Sequence, residues 1–213
     1  MKTVIQIILV VLIGVVGFLV WESIQKPIRF NTEQKRRYDA TVQRLKDIRE
    51  AQIAYRSENK KFTGSFDTLI KFLRTDSFRV VRIIGDVDRY ETAAEVEQAK
   101  KSGEILQDTI NVSVLDSLFR KRGYHAGNID SIRYVPFSDG KTFEMGAGNV
   151  KAGNAGNVIV NVFEAKVLFE ELMKGMDEQL LYNFITEKTK RTGYAGLRVG
   201  SLDEATNNAG NWE

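Results

Sequence analysis

Polar and apolar positions fall into three successive rhythms along this chain. From Val4 to Trp21 there is no polar side chain except Gln6 and no charge at all, with Lys2 standing just before the run. A helix rises about 1.5 Å per residue, so the run covers roughly 27 Å, close to the hydrocarbon thickness of a bilayer. A cleaved signal peptide begins in the same way but needs small residues at its cleavage point. This run closes on Gly17-Phe18-Leu19-Val20-Trp21-Glu22-Ser23. The pattern therefore predicts an uncleaved anchor over residues 1–24, with Trp21 at the lipid–water interface.

The second rhythm is helical. Pro27 tends to interrupt a helix, and after it Asn31 and Thr32 are candidate caps. Tyr38, Val42, Leu45, Ile48, Ala51 and Tyr55 then recur at three- and four-residue steps. This spacing predicts a charged helical stalk over residues 28–61 carrying one apolar stripe. The stripe packs either on the chain's own head or on a partner helix, as in a short coiled coil. Arg49 and Gln52 intrude on it. On the partner reading Tyr38, Val42, Leu45, Ile48 and Tyr55 are the candidate interaction residues.

The third rhythm is mixed and predicts a head domain over residues 62–213. Segments rich in β-branched and aromatic residues predict strands at Phe78–Ile84, Thr109–Leu115, Ser131–Val135, Lys141–Met145 and Val158–Leu168. A helix is expected from about Thr92 to Ser102, with Thr92 and Glu95 as a capping box and Gly103 as its stop. Another is expected from Asp177 to Lys190, burying Leu180, Leu181, Phe184 and Ile185 and closed by Gly193. Irregularly interposed helices argue for an antiparallel or mixed sheet. The expected class is thus α+β: a transmembrane helix, a helical stalk and a sheet-containing head. The polar C-terminal tail ends near Trp212, which either docks back on the head or anchors a partner surface.

Charge sharpens this picture. Residues 22–75 hold 13 Lys and Arg against 7 Asp and Glu, whereas residues 76–213 hold 17 against 21. The basic part adjoins the predicted span, where it is either an attraction to anionic headgroups or a solvated helix face. The acidic distal part and the absence of an aromatic–basic motif argue against nucleic acid as a partner. Positive-inside counting would keep the head in the cytoplasm, whereas a short N-terminal signal anchor exports the domain attached to it. Export is the expectation adopted, giving a single-pass inner-membrane protein with a periplasmic head.

Candidate chemistry is sparse. The chain has no cysteine and one histidine, His125, which removes disulfides, thiolate sites and multi-histidine metal sites. His125 lies in a Gly-flanked loop without a nucleophile motif and is expected to be a solvated loop residue. Asp86, Asp88 and Glu91 lack the spacing of a calcium loop and predict a turn. The glycine-rich stretch Gly146–Gly156 has neither the spacing nor the Lys of a phosphate loop and predicts a hairpin loop. No cofactor is implied.

At the end of the stalk, Ala54-Tyr55, the polar stretch after it, Phe62 seven residues on, and Leu69, Phe72 and Leu73 resemble type IV pilin-like proteins, especially the pseudopilins of type II secretion. Pro27 also stands as in that pattern. The resemblance covers roughly residues 4–73. The Gly-Phe cut that precedes a pilin's apolar run is missing, because Gly17-Phe18 lies at the far end of the run and no Glu stands among its first residues. The same plan is shared by inner-membrane assembly-platform proteins of pilus and type II secretion systems, which need no such cut. The tail, and with it the whole chain, is similar to uncharacterised Bacteroidetes envelope proteins, which implies no activity.

These readings lead to one expectation and two rivals. The expectation is a non-catalytic, bilayer-anchored component of a bacterial envelope assembly of the secretion or pilus type, contacting other envelope proteins as a homo- or hetero-oligomer. The first rival is a membrane-tethered enzyme acting on envelope glycans or lipids through two carboxylates about 5–10 Å apart. The second is a ligand-sensing domain.

Overall fold

A computed structural model describes residues 2–84, 89–90, 92–152 and 158–213. The fold is α+β. A 58-residue helix, α1 (Lys2–Asn59), is followed by α2 (Phe66–Thr75), β1 (Ser77–Ile84), α3 (Ala93–Ser102), β2 (Leu106–Ser113) and α4 (Val114–Phe119). Then come β3 (Glu144–Ala152), β4 (Val158–Leu168), α5 (Phe169–Leu172), α6 (Glu178–Thr192) and β5 (Gly196–Gly200). The residues divide into two compact units, one of Met1–Arg49 with Ile132–Glu213 and one of Glu50–Ser131.

Pro27 neither ends nor interrupts α1, contrary to the sequence expectation. A proline in a helix interior removes one backbone bond and crowds the carbonyl four residues back, at a cost of about 3 kcal/mol. Flanking turns on both sides carry the helix across that single defect. Thr32 does not cap a second helix either. Its hydroxyl donates to the Ile28 carbonyl at 2.9 Å, a bond made only inside a continuing helix.

In the first unit the sheet has the order β3-β4-β5 and is antiparallel throughout. Phe163, Ala165 and Val167 lie on one face of β4 and are almost wholly buried, with Val199 and Leu197 opposite the last two. Leu45 and Ile48 of α1 are fully buried in the same unit. Tyr38 stacks on Phe169 with ring centroids 6.3 Å apart, and Phe169 meets Phe184 of α6 edge-on at 5.0 Å. These rings fasten α1, α5 and α6 together.

Two strand expectations need correction. Ser131–Val135 is not a strand: a 3-10 helix spans Ile129–Arg133, and only Tyr134 makes a bridge, to Thr142. Ile129 and Ile132 are both fully buried at a three-residue step, the period of that helix rather than of a strand. The strand expected at Lys141–Met145 begins at Glu144 and runs on through Gly146 and Gly148 to Ala152. Pairing with β4 along its whole length overrides the weak strand preference of glycine. The hairpin tip, where the glycine-rich loop was expected, falls on residues 153–157, outside the described residues.

Helix α6 starts and stops on the expected signals. Asp177 accepts from the Leu180 amide at 3.0 Å, and Gly193 takes the left-handed conformation at φ 69°. Its apolar side chains Leu180, Leu181, Phe184 and Ile185 are only half-buried, so this helix covers the fold from outside.

In the second unit, Tyr55 and Phe72 meet edge-on at 5.2 Å, and Leu69, Leu73, Val114 and Phe119 complete the buried cluster. Ser65 caps α2. Helix α3 has the expected box, Thr92 accepting from the Glu95 amide and Glu95 from the Thr92 amide, with Gly103 left-handed at φ 83°. β1 and β2 pair antiparallel from Ser77↔Ser113 to Ile84↔Leu106. The second strand thus ends before Val114 and Leu115, which open α4. Ser113 accepts from the Asp116 amide, so a helix cap outweighs the β-branched run that suggests a longer strand.

Candidate membrane anchor and interaction surfaces

Among the described residues one helix is long and apolar enough to cross a membrane. The large apolar side chains from Val4 to Trp21 are all 50–68 % exposed, so nothing in the fold buries them. Beyond Trp21, Glu22 and Lys26 sit 3.7 Å apart on one face, and Arg29 is exposed. The first buried residue of α1 is Phe30, at 7 % exposure.

The candidate interaction residues do not form one open stripe. Leu45 and Ile48 are 0 % exposed and Tyr55 8 %, while Tyr38 and Val42 are half-buried. Of the two accounts of the stripe, packing within the chain's own fold is the one that accounts for this burial. Gln52, an intruder on the stripe by its polarity, is itself fully buried. Ile53, outside the stripe, is the exposed apolar position on this part of α1, at 48 %.

Trp212 folds back on the tail that carries it. Its ring fills the space a Cβ on Gly210 would need, 2.3 Å away. The tail then runs along the edge of β5: Gly200 donates to Ala209 O at 2.9 Å and Asn211 N to Arg198 O at 3.1 Å. The Asn211 carboxamide accepts from Arg198 N and donates to Gly196 O. Arg49 holds Glu213 at 2.6 Å and keeps its carboxyl below the ordinary range. A stretch whose composition suggests disorder is a strap that seals a sheet edge.

No motif marks the ion-paired carboxylate of β4. Glu164, 6 % exposed, lies in β4 with Lys166 Nζ at 2.8 Å and Arg198 Nη1 at 3.8 Å. Glu164 and Lys166 share a face two residues apart, and Lys166 faces both Glu144 and Arg198 across the strands. The Glu164 hydrogen bond raises the Lys166 ammonium, and burial raises the neighbouring Tyr194 phenol. Polar residues interrupting an otherwise apolar strand were the available signal. Each charge in this cluster has an opposite charge beside it, which suits holding a sheet face together.

In the second unit Glu58, Asn59, Thr75, Asp76, Arg79 and Asn111 are among the residues lining a polar cavity of about 650 Å³. Two apolar pairs of that unit are open to solvent on one side of the β1–β2 ribbon, Val80 facing Ile110 and Ile84 facing Leu106 at 37–57 % exposure, with Arg82 facing Asp108 between them. His125 is exposed. Its Nδ1 accepts from the Gly127 amide at 3.2 Å, and its own amide donates to Asn128 Oδ1, so it closes a loop. Asp86, Asp88 and Glu91 lie outside the described residues, and among the described residues no three His, Asp or Glu side chains converge as a metal site. No family model matches the chain, and no curated protein or solved structure is similar to it.

Proposed function

We propose that this protein is a single-pass, membrane-anchored interaction component of a bacterial envelope assembly, of the secretion or pilus type, without catalysis of its own. The observation that carries this reading is the continuity of α1. The same helix that exposes an uncharged run from Val4 to Trp21, apolar but for Gln6, supplies Leu45 and Ile48 to a folded core. Such a helix transmits position from a bilayer to a head without a flexible joint. The pilin-like arrangement around Tyr55, Phe62 and Leu69 supports the assembly part of the reading, and the exposed pairs Val80–Ile110 and Ile84–Leu106, with Arg82 and Asp108 between them, offer a mixed contact surface.

The test has two arms. Carbonate extraction of membranes should leave the full chain in the pellet, and a C-terminal topology reporter should be active only on the exported side. Crosslinking in intact membranes should then recover the chain with other envelope proteins. Recovery of monomer alone would sink the assembly reading, and a cytoplasmic reporter would move the partners to the other compartment.

One observation favours the enzymatic rival. Glu58 and Asp76 both border the polar cavity of the second unit, as a pair of catalytic carboxylates would. Hydrolysis of envelope glycans by the purified full chain, abolished by Glu58→Gln and by Asp76→Asn, would establish that rival.

A further inference from the structure

We propose that the β1–β2 ribbon of the second unit recruits a second copy of this chain by strand addition, β2 of one copy pairing antiparallel with β1 of the next. The inference rests on the assembly reading above and names a partner for it. β1 and β2 form a sheet of two strands. In an antiparallel pair about half of each strand's N–H and C=O groups point away from its neighbour. Among the described residues no other segment bonds to the backbone of Ser77–Ile84 or Leu106–Ser113. Each strand therefore carries an open edge, which is a template for a further strand.

The ribbon is also short of cover on its faces. Val80, Ile84, Leu106 and Ile110 are exposed on one side, and Ile83 on the other is 47 % exposed. A ribbon of two strands is marginal in water, and further strands stabilise it.

Charge selects which strand is added. β1 carries Arg79 and Arg82 and no acid, whereas β2 carries Asp108 and no base. All three are exposed. Pairing β1 with β1 would gather arginines without a counter-charge, and pairing β2 with β2 would gather aspartates without one. Like charges across a strand pair are destabilising. β2 against the β1 of a second copy joins the opposite signs. It also repeats the register already present within the ribbon, where Val80 faces Ile110, Arg82 faces Asp108 and Ile84 faces Leu106. Continued across the junction, that register keeps these side chains on one face and sets a row of alternating Arg82 and Asp108 between two apolar rows. Neither strand contains proline, which would interrupt the new ladder. The contact is head-to-tail, so it propagates as a row of copies or closes as a ring.

The chain has no cysteine, so Val80→Cys in one copy and Ile110→Cys in another provide one thiol each. Full-length chains of the two kinds, distinguished by tags of different length, are co-reconstituted in phosphatidylcholine vesicles and oxidised. Opposed positions on adjacent strands lie within disulfide reach. The mixed dimer should exceed either like dimer by about five-fold or more, against about two-fold for random encounter. Arg82→Asp with Asp108→Arg in one copy only sets like charges at the junction while each ribbon keeps its own opposite pair. The yield should then fall to the random level, and the same exchange in both copies should restore the excess. A mixed dimer at the random ratio, or one that the one-sided exchange leaves undiminished, overturns strand addition. The cysteine yields decide by themselves should the exchanged variant fail to fold. If the excess is absent while crosslinking in intact membranes still recovers other envelope proteins, strand addition falls and the assembly reading stands. If that crosslinking recovers monomer alone, the assembly reading falls.

Discussion

The carboxamide of Gln52 pairs with the peptide unit of Thr63 as one strand pairs with another. Its Nε2 donates to the Thr63 carbonyl at 2.6 Å, and its Oε1 accepts from the Thr63 amide at 3.1 Å. Both residues are buried, so no water replaces either bond. The pair fixes the chain where it leaves α1 and turns toward α2. Gln52→Leu keeps most of the volume but strands a buried amide and a buried carbonyl, each worth about 1–3 kcal/mol. The expected loss is about 2–4 kcal/mol in chemical denaturation, and a loss below that range would mean that the turn finds other partners.

Leu45 and Ile48 are too deeply buried to serve as a test of assembly. Leu45→Asp or Ile48→Asp places an unpaired carboxylate in the core of the first unit and should unfold it, with loss of the cooperative thermal transition. Ile53→Asp, at a position 48 % exposed, should leave the transition within about 1 kcal/mol of the parent. If crosslinked assemblies disappear in Ile53→Asp while the fold persists, the open side of α1 is a contact surface.

Three glycines of the sheet separate hard clashes from soft ones. A Cβ at Gly196 would stand 2.1 Å from the Val167 carbonyl, and one at Gly200 2.0 Å from the Phe163 carbonyl, the latter with φ at +72°. Backbone cannot step aside without breaking the β4–β5 ladder. Gly196→Ala and Gly200→Ala should each cost about 3 kcal/mol or more. At Gly146 the obstacle is the end of the Leu202 side chain, 2.9 Å away, which can rotate. Gly146→Ala should therefore cost no more than about 1 kcal/mol, as read by denaturant midpoint.

The C-terminal strap should loosen in acid. The hydrogen bond from Arg49 holds the Glu213 carboxyl below its ordinary value of 4.5. A depressed value in the folded state means that the contribution is complete above pH 4.5 and is lost as the pH falls through the folded value. Glu33, held at about 2 chiefly by its hydrogen bond from Arg36, stays charged through most of that fall. In a Trp21→Phe background, Trp212 emission should shift on acid titration below pH 4.5. Glu213→Gln should flatten that response, and an unchanged titration would assign it to other carboxylates.

Local signals were legible wherever a residue acts on its own neighbours. The Thr92–Glu95 box, the Asp177 cap and the stops at Gly103 and Gly193 all work within one helical turn. β4 was legible to its last residue because its long apolar and β-branched run leaves no competing period. The misread places are those where a distant partner decides. Gly146 and Gly148 extend because β4 pairs with them, and Pro27 stays in α1 because helix continues on both sides.

The sequence by itself determined the apolar run, the periodic helix beyond it and the α+β class, since hydrophobic period and capping are properties of short segments. Only the tertiary structure decided that Leu45 and Ile48 are interior, that Glu164 has two cations, and that the polar tail is a strap. Those outcomes depend on contacts between residues far apart in the chain, such as Arg49 with Glu213 and Arg37 with Lys174. No local pattern encodes them, because each is fixed by where the rest of the fold places its partner.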